Sequence, residues 1–441
     1  MPCALSALEA LAQASVRWRN APAWLDRAAL HLVDWLACAA AGAHTPQGAA
    51  FKRWLDLQAA GHCPTLGGRS ADAAAAAAYH GALGSALEMD DVHRSSVLHP
   101  GPVVIPAALA ACTASTPGAQ LLGAMLAGYE VMIRVGRALG PTHYKLWHPT
   151  ATAGSFGAAA AAAAVMGLDE ERTAQALALA GTRAGGLWQV RHETQLGKAW
   201  HMAGAAREGL AAAQLATVGL TGPLGVLDGP SGWFAATAPG ADTTPIFEDR
   251  EHPWMADVSF KPWPACRHAH PAMDALREAA VTAPIKHIEV HTYADALRFC
   301  DRPTPVDEAQ ARFSIQHALA AMLHWGEPAL AHYRPESLAD VQALRSKISL
   351  HQDSGIEARY PAHYGARVVV TLSDGTSRRA ELQDTYGDPA RPMSVAALQN
   401  KARMLMGSAG WPEARMLAAF SACAALPTAT DLRALNAVIQ P

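Results

Sequence analysis

The residues ADAAAAAAYHGALGSAL, Ala71 to Leu87, decide the fold. They are apolar on every side, and a helix of that kind has no polar face to turn to water. Such a helix belongs at the centre of a large bundle, where alanines let neighbouring backbones approach closely. The chain then runs directly into EMDDVH, Glu88 to His93, and after a short spacer into HPGP, His99 to Pro102. Three carboxylates and two imidazoles fall within twelve positions, in a chain where 17% of residues are charged. Titratable groups at the end of a buried helix are costly to desolvate, which marks the segment as an active-site rim that handles protons on a small acidic substrate.

Outward from this stretch, the first 260 residues read as helix after helix. Trp24 to Ala41 carries apolar residues at helical spacing and stops at Gly42; Gln120 to Leu139 ends at Gly140-Pro141. Further helices are expected over Val103–Ala114, Ala151–Met166, Glu170–Ala184 and Trp200–Val218. The character changes near Pro253 to Pro271. From His287 the pattern alternates with period two, and strands are expected again at Lys347–Leu350, Ala366–Leu372 and Arg379–Leu382, the last pair joined by the turn Ser373-Asp374-Gly375-Thr376. Helices are expected between them, over Val306–Trp325 and Pro335–Leu344. The pattern therefore predicts a mainly α protein: an all-helical domain over 1–262, completed by 393–441, and a smaller α+β domain over 263–392.

Composition narrows the function. Half of the 441 residues are hydrophobic and the formal net charge is -3, which offers no general basic field for nucleic acid. An anionic substrate needs a local cluster of positive groups instead. The Ala runs are too short and too weakly hydrophobic to span a bilayer, and no secretory signal is evident, so a cytoplasmic location is expected. The seven cysteines are scattered, with no Cys-x-x-Cys pair, and read as reduced thiols rather than ligands of a cluster or a structural zinc.

Four segments can carry chemistry. The first is the acidic segment, with Asp90, Asp91 and His93, together with His99. The second is Leu146 to Thr150, where His148 precedes a helix expected to be capped by Thr150. The third is Leu196 to His201, with Lys198 at a helix start. The fourth is Phe260 to Pro271, with Lys261, Arg267 and His268. Helix N-termini and several cations can clamp two or three carboxylates and neutralise the charge that develops when a neighbouring proton is abstracted. Plainer readings stand beside each. Asp-Asp-x-His with a second His six residues on lacks a third ligand at regular spacing, which speaks against a metal site. One of Asp90 and Asp91 can simply cap a helix or pair with Arg94. His201 and His268 stay open between core hydrogen bonding and function. Lys198 alone reads as a solvated lysine, whereas Lys261 sits in a rigid apolar setting between Phe260 and Pro262-Trp263-Pro264. His31, His44 and His80 read as structural.

Met89-Asp90-Asp91-Val92, His99-Pro100 and Val104 to Ala110 together resemble the signature of the MmgE/PrpD family. The other segments agree in order: His148-Pro149-Thr150 running into Ala153 to Ala159, Gly197 to Gly204, Gly219 to Pro223, Leu227 to Gly232, Phe260 to Pro264 with His270-Pro271, Ala311 to Ser314, and Gly387-Asp388-Pro389. The resemblance spans nearly the whole chain. It implies a large helical domain, a smaller α+β lid, a homodimer, and a site in the cleft between domains that uses no metal or organic cofactor. It implies that His99 and His148 exchange protons with a small di- or tricarboxylate, that Lys198 and Lys261 hold its carboxylates, and that Asp91 orients a histidine. Asp90, His93, Arg267, His268 and His317 would contact the substrate.

Departures from the family pattern bear on the substrate. Val92 stands where many members carry Thr, Glu88 where several carry Asp, and His317 where many carry Tyr; lost hydroxyls change which groups can be bonded. The reading is a lyase that removes water or carbon dioxide. Its rivals are an epimerase using the same proton abstraction, a catalytically silent carboxylate-binding protein, and a metal-dependent hydrolase.

Overall fold

A computed structural model describes residues 5–191, 193 and 197–440, so Cys3 and Leu196 lie outside the described residues. The chain is mainly α and divides into two compact units. The first comprises residues 1–86, 90–258 and 398–441; the second comprises 87–89 and 259–397.

In the first unit, the alanine-rich stretch forms α4 (Ala73–Gly84), started by Asp72, whose carboxylate accepts the Ala75 N–H. The unit is built around α7 (Pro149–Val165), buried along its whole length. It packs against α5 (Gly101–Ala111), α6 (Gly118–Tyr144), α8 (Glu170–Gly181) and α9 (Lys198–Thr217). The periodicity of the sequence locates these helices to within a few residues. In α6 the helical ladder breaks at Gly140 (φ 63, ψ -167), where the sequence places a stop.

Small residues set the spacing of these central helices. A Cβ on Gly209 of α9 would sit 2.6 Å from the Ser155 carbonyl of α7. That contact is with backbone, so it is relieved only by separating the helices. Among the described residues no helix is long and apolar enough to cross a membrane. The six described cysteines are buried and free.

The second unit carries a four-stranded sheet. Its strands are β1 (Ile285–Thr292), β2 (Ile348–Gln352), β3 (Ala366–Leu372) and β4 (Ser377–Leu382), in the spatial order β2-β1-β3-β4. β1 pairs parallel with β2 and antiparallel with β3. Ile288, Val290 and Thr292 are buried while His287, Glu289 and His291 are partly exposed, which is the expected period of two. The turn at Asp374-Gly375 closes the β3–β4 hairpin.

Two expected helices of this unit differ. Val306–Trp325 is split at Ser314, whose hydroxyl caps the helix Ile315–Trp325 by accepting the His317 N–H at 3.0 Å. Pro335–Leu344 forms only short turns, Pro335–Ser337 and Gln342–Arg345. There the Arg345 guanidinium binds the Leu338 carbonyl at 2.5 Å, so a side chain takes the place of a helical ladder bond.

The close approach of α7 and α9 yields a test. Gly209→Val is expected to destabilise the protein by about 1–3 kcal/mol through overpacking. Thermal unfolding should register this as a lowered midpoint; an unchanged midpoint contradicts the packing described.

Candidate active site

The acidic segment enters the apolar bundle with its charges, and each finds partners inside the chain. Asp91 accepts the Gly101 N–H at 2.8 Å on one oxygen. On the other it accepts the Tyr129 hydroxyl at 2.7 Å and the His31 Nδ1–H at 2.8 Å. Burial pushes the His31 imidazole down to about 4, so it is neutral and donates from Nδ1. The Asp91 side chain thus holds a histidine, but that histidine is His31, and the carboxylate itself anchors the start of α5.

Asp90 faces the other way. Its Oδ2 lies 3.0 Å from His99 Nδ1, which also lies 2.9 Å from the Asp91 carbonyl oxygen. Both partners are acceptors, so Nδ1 carries a ring proton, and whenever the ring holds one proton Nε2 is left with its lone pair. The His99 backbone N–H is bonded to the Thr150 hydroxyl at 3.2 Å. The turn that delivers His99 is closed by reciprocal bonds between His93 and Leu98 and carries Val97 in the left-handed region (φ 50). For a β-branched residue that is a strained conformation.

The cap of α7 is His148 rather than Thr150, because Pro149 takes the first helical position, where its missing N–H is not needed. The His148 N–H is bonded to the Gly186 carbonyl at 2.9 Å, and its ring lies 4.2 Å from the Trp188 ring. Gly186 has φ 127, and a Cβ there would meet Ala151 at 2.7 Å. Burial first, and then the charges of His201, Lys198 and His99, hold His148 well below the usual imidazole range, with Asp90 opposing. His148 is therefore a neutral imidazole among one carboxylate, one ammonium and two further histidines. Its Nδ1 lies 3.0 Å from Nδ1 of His201, which stands in the first turn of α9 together with Lys198.

Beneath this cluster is a buried ion pair. Lys401, on the helix Val395–Ser408, lies 2.5 Å from Asp34 of α2 (Leu25–Gly42). Burial raises Asp34 to about 6 even though Lys401 pulls it down. Lys401 itself is raised: burial opposes its charge, but Asp34, Cys38 and Asp90 outweigh it.

The first unit therefore brings together Asp90, His99, His148 and Lys198, and adds His201. His93 stands apart from them, bonded through Nδ1 to Ser96 at 2.6 Å and set edge-on to Trp254. In the second unit Lys261 is fully buried, with Nζ 3.1 Å from the Glu88 carbonyl oxygen and 3.5 Å from its carboxylate. Arg267 is paired with Asp388. His268 is bonded to the Tyr293 hydroxyl at 2.8 Å and stacks on Tyr364 and Phe299. His317 donates from Nε2 to the His332 carbonyl at 2.9 Å and meets Arg345 through Nδ1, and burial pushes it down to about 4. Both nitrogens of His317 are engaged within its own unit. Tyr129, His31 and Lys401 belong to the site's support, and nothing in their sequence surroundings marks them.

Asp91→Ala is expected to cost about 3 kcal/mol or more, because three buried donors lose their acceptor together. Chemical denaturation checks this; a loss below about 1 kcal/mol contradicts the anchoring role.

Comparison with known proteins bears on the family of the chain. The MmgE/PrpD N-terminal domain model matches residues 11–246 and the MmgE/PrpD C-terminal domain model matches residues 263–426. The chain is 28% identical to the cis-aconitate decarboxylase-like protein oryM of Aspergillus oryzae, over 94% of this chain and 92% of that one. It is 30% identical to the cis-aconitate decarboxylase of Homo sapiens, over 74% and 71% of the two chains. To the cis-aconitate decarboxylase of Aspergillus terreus it is 25% identical, over 87% and 85%. With two domain models that together cover most of its length, the chain belongs to the MmgE/PrpD family.

Proposed function

We propose that the protein is a lyase that removes carbon dioxide or water from a small di- or tricarboxylate by moving a proton at a carbon next to a carboxylate. The observation that carries this reading is that Asp90 Oδ2, 3.0 Å away, and the Asp91 carbonyl both face His99 Nδ1. Together they order the ring so that Nε2 is the free base, the arrangement by which a carboxylate commonly directs a catalytic imidazole. His148, neutral and close by, supplies the complementary proton. Lys198 offers the positive charge that a carboxylate needs as electron density builds on the neighbouring carbon. For Lys261 the family resemblance supports the same role.

Loss of carbon dioxide leaves an electron pair on carbon that a proton must meet, and loss of water starts with removal of a proton. One base and one neutral donor serve either course. The names of the relatives favour decarboxylation. We read the reaction as metal-free, as the family resemblance implies.

Proton NMR in deuterated water tests this, with 2-methylcitrate, citrate, cis-aconitate, tartrate, malate and iminodisuccinate as a panel. New vinyl signals or loss of a carbon are expected for at least one acid. His99→Ala should lower that turnover by about two to four orders of magnitude with the fold intact. Deuterium exchange or inversion without elimination would point to an epimerase instead, and binding without any conversion to a silent carboxylate-binding protein; either outcome overturns the reading.

A further inference from the structure

His148 is a buried acid–base group with a supply problem. It is 1% exposed, covered by Trp188 on one ring face, and held neutral. A neutral imidazole that gives up a proton in such a place needs another group to bring the next one. Among the described residues, the hydrogen-bond partner of its ring is His201, Nδ1 to Nδ1 at 3.0 Å, with the rings tilted by 50°. His201 is only half-buried, so it spans the distance from His148 to water. Among the described residues neither Nε2 carries a hydrogen bond, so each pair of nitrogens has one shared end and one open end.

Resting on the reading that His148 exchanges a proton with the substrate, we propose that His201 is a proton-relay residue that connects buried His148 to solvent. Two neutral imidazoles whose Nδ1 atoms meet at 3.0 Å share one proton between those atoms. With that proton on His201, His148 bears its own on Nε2 and is a donor. When the Nε2 proton passes to the substrate carbon, the Nδ1 proton of His201 moves to Nδ1 of His148, and Nε2 of His201 takes a proton from water or a buffer acid. One proton enters from solvent and one leaves to the substrate. Neither ring changes its net charge, which keeps the step compatible with a site where burial disfavours an imidazolium. The reverse sequence carries a proton outward, and exchange with water after product departs restores the starting tautomers.

The surroundings fit a relay of neutral rings. The groups that act on His148 are His201 and Lys198 from α9, and His99 and Asp90 from the acidic segment. Lys198 also lowers His201, after burial. Both members of the pair are thereby biased toward the neutral forms that can both give and take a proton. Gly186 keeps the approach open: its missing side chain faces the His201 ring at 3.5 Å.

His201→Asn and His201→Ala test the proposal, assayed with whichever acid of the panel the wild-type protein turns over. Asn keeps a polar group near the position of Nδ1 but has no second nitrogen that titrates. Both variants are expected to lose about ten- to a hundredfold in kcat with little change in KM and with thermal unfolding unaltered. Added imidazole should restore His201→Ala in a saturable manner, and His148→Ala should be inactive. Wild-type kcat in His201→Asn, or no imidazole rescue of a folded His201→Ala, overturns the relay while leaving the acid–base role of His148 intact. Full turnover by His148→Ala, or no turnover of any panel acid by the wild-type protein, overturns that underlying reading and the relay with it.

Discussion

A carboxylate with no water around it at the edge of an alanine-rich bundle has to find its donors inside the chain, and Asp91 finds three. The Gly101 N–H, the Tyr129 hydroxyl and the His31 imidazole come from three different helices and converge on its two oxygens. An unmet carboxylate in this position would cost several kcal/mol, so the helices that provide these donors are tied to one arrangement. The start of α5, and with it the turn that carries His99, is placed by this knot. Asp90 is then left facing the opposite way, toward His99.

The division of labour between two adjacent carboxylates follows from their surroundings. Asp91 is engaged on both oxygens by donors from the chain itself. Asp90 is paired with an imidazole that is itself partly exposed, and it lies within the field of Lys401. The Lys401–Asp34 pair brings the helix Val395–Ser408 to the acidic motif, far from it in sequence, and places a cation beneath two buried acids. Removing either member of such a pair leaves an uncompensated buried charge.

Much of this was legible in the sequence, for identifiable reasons. All-round apolar helices such as Ala71–Leu87 and Ala151–Met166 are unambiguous, because alanine runs of that length have no other place to go. The hairpin at Asp374-Gly375 announces itself by turn chemistry. Asp90, His99, His148 and Lys198 stood out because charge is scarce in this chain and concentrates there. The pattern did not reveal which carboxylate faces His99, because that depends on Tyr129 and His31, which occupy ordinary helical positions. It also left His201 open, since a histidine in a helix looks the same whether it fills space or meets another ring. Ser314 and Arg345 broke two expected helices through side-chain bonds that periodicity does not encode.

The central claim is that Asp90 and the Asp91 carbonyl hold the His99 proton on Nδ1 and leave Nε2 as the free base. Long-range ¹⁵N–¹H NMR of histidine-labelled protein, with His99 assigned by comparison with His99→Gln, reads this directly. The account predicts that the neutral form of the His99 ring is protonated at Nδ1, with a mixed or inverted tautomer in Asp90→Asn. A neutral ring protonated at Nε2 in the wild-type protein would contradict it.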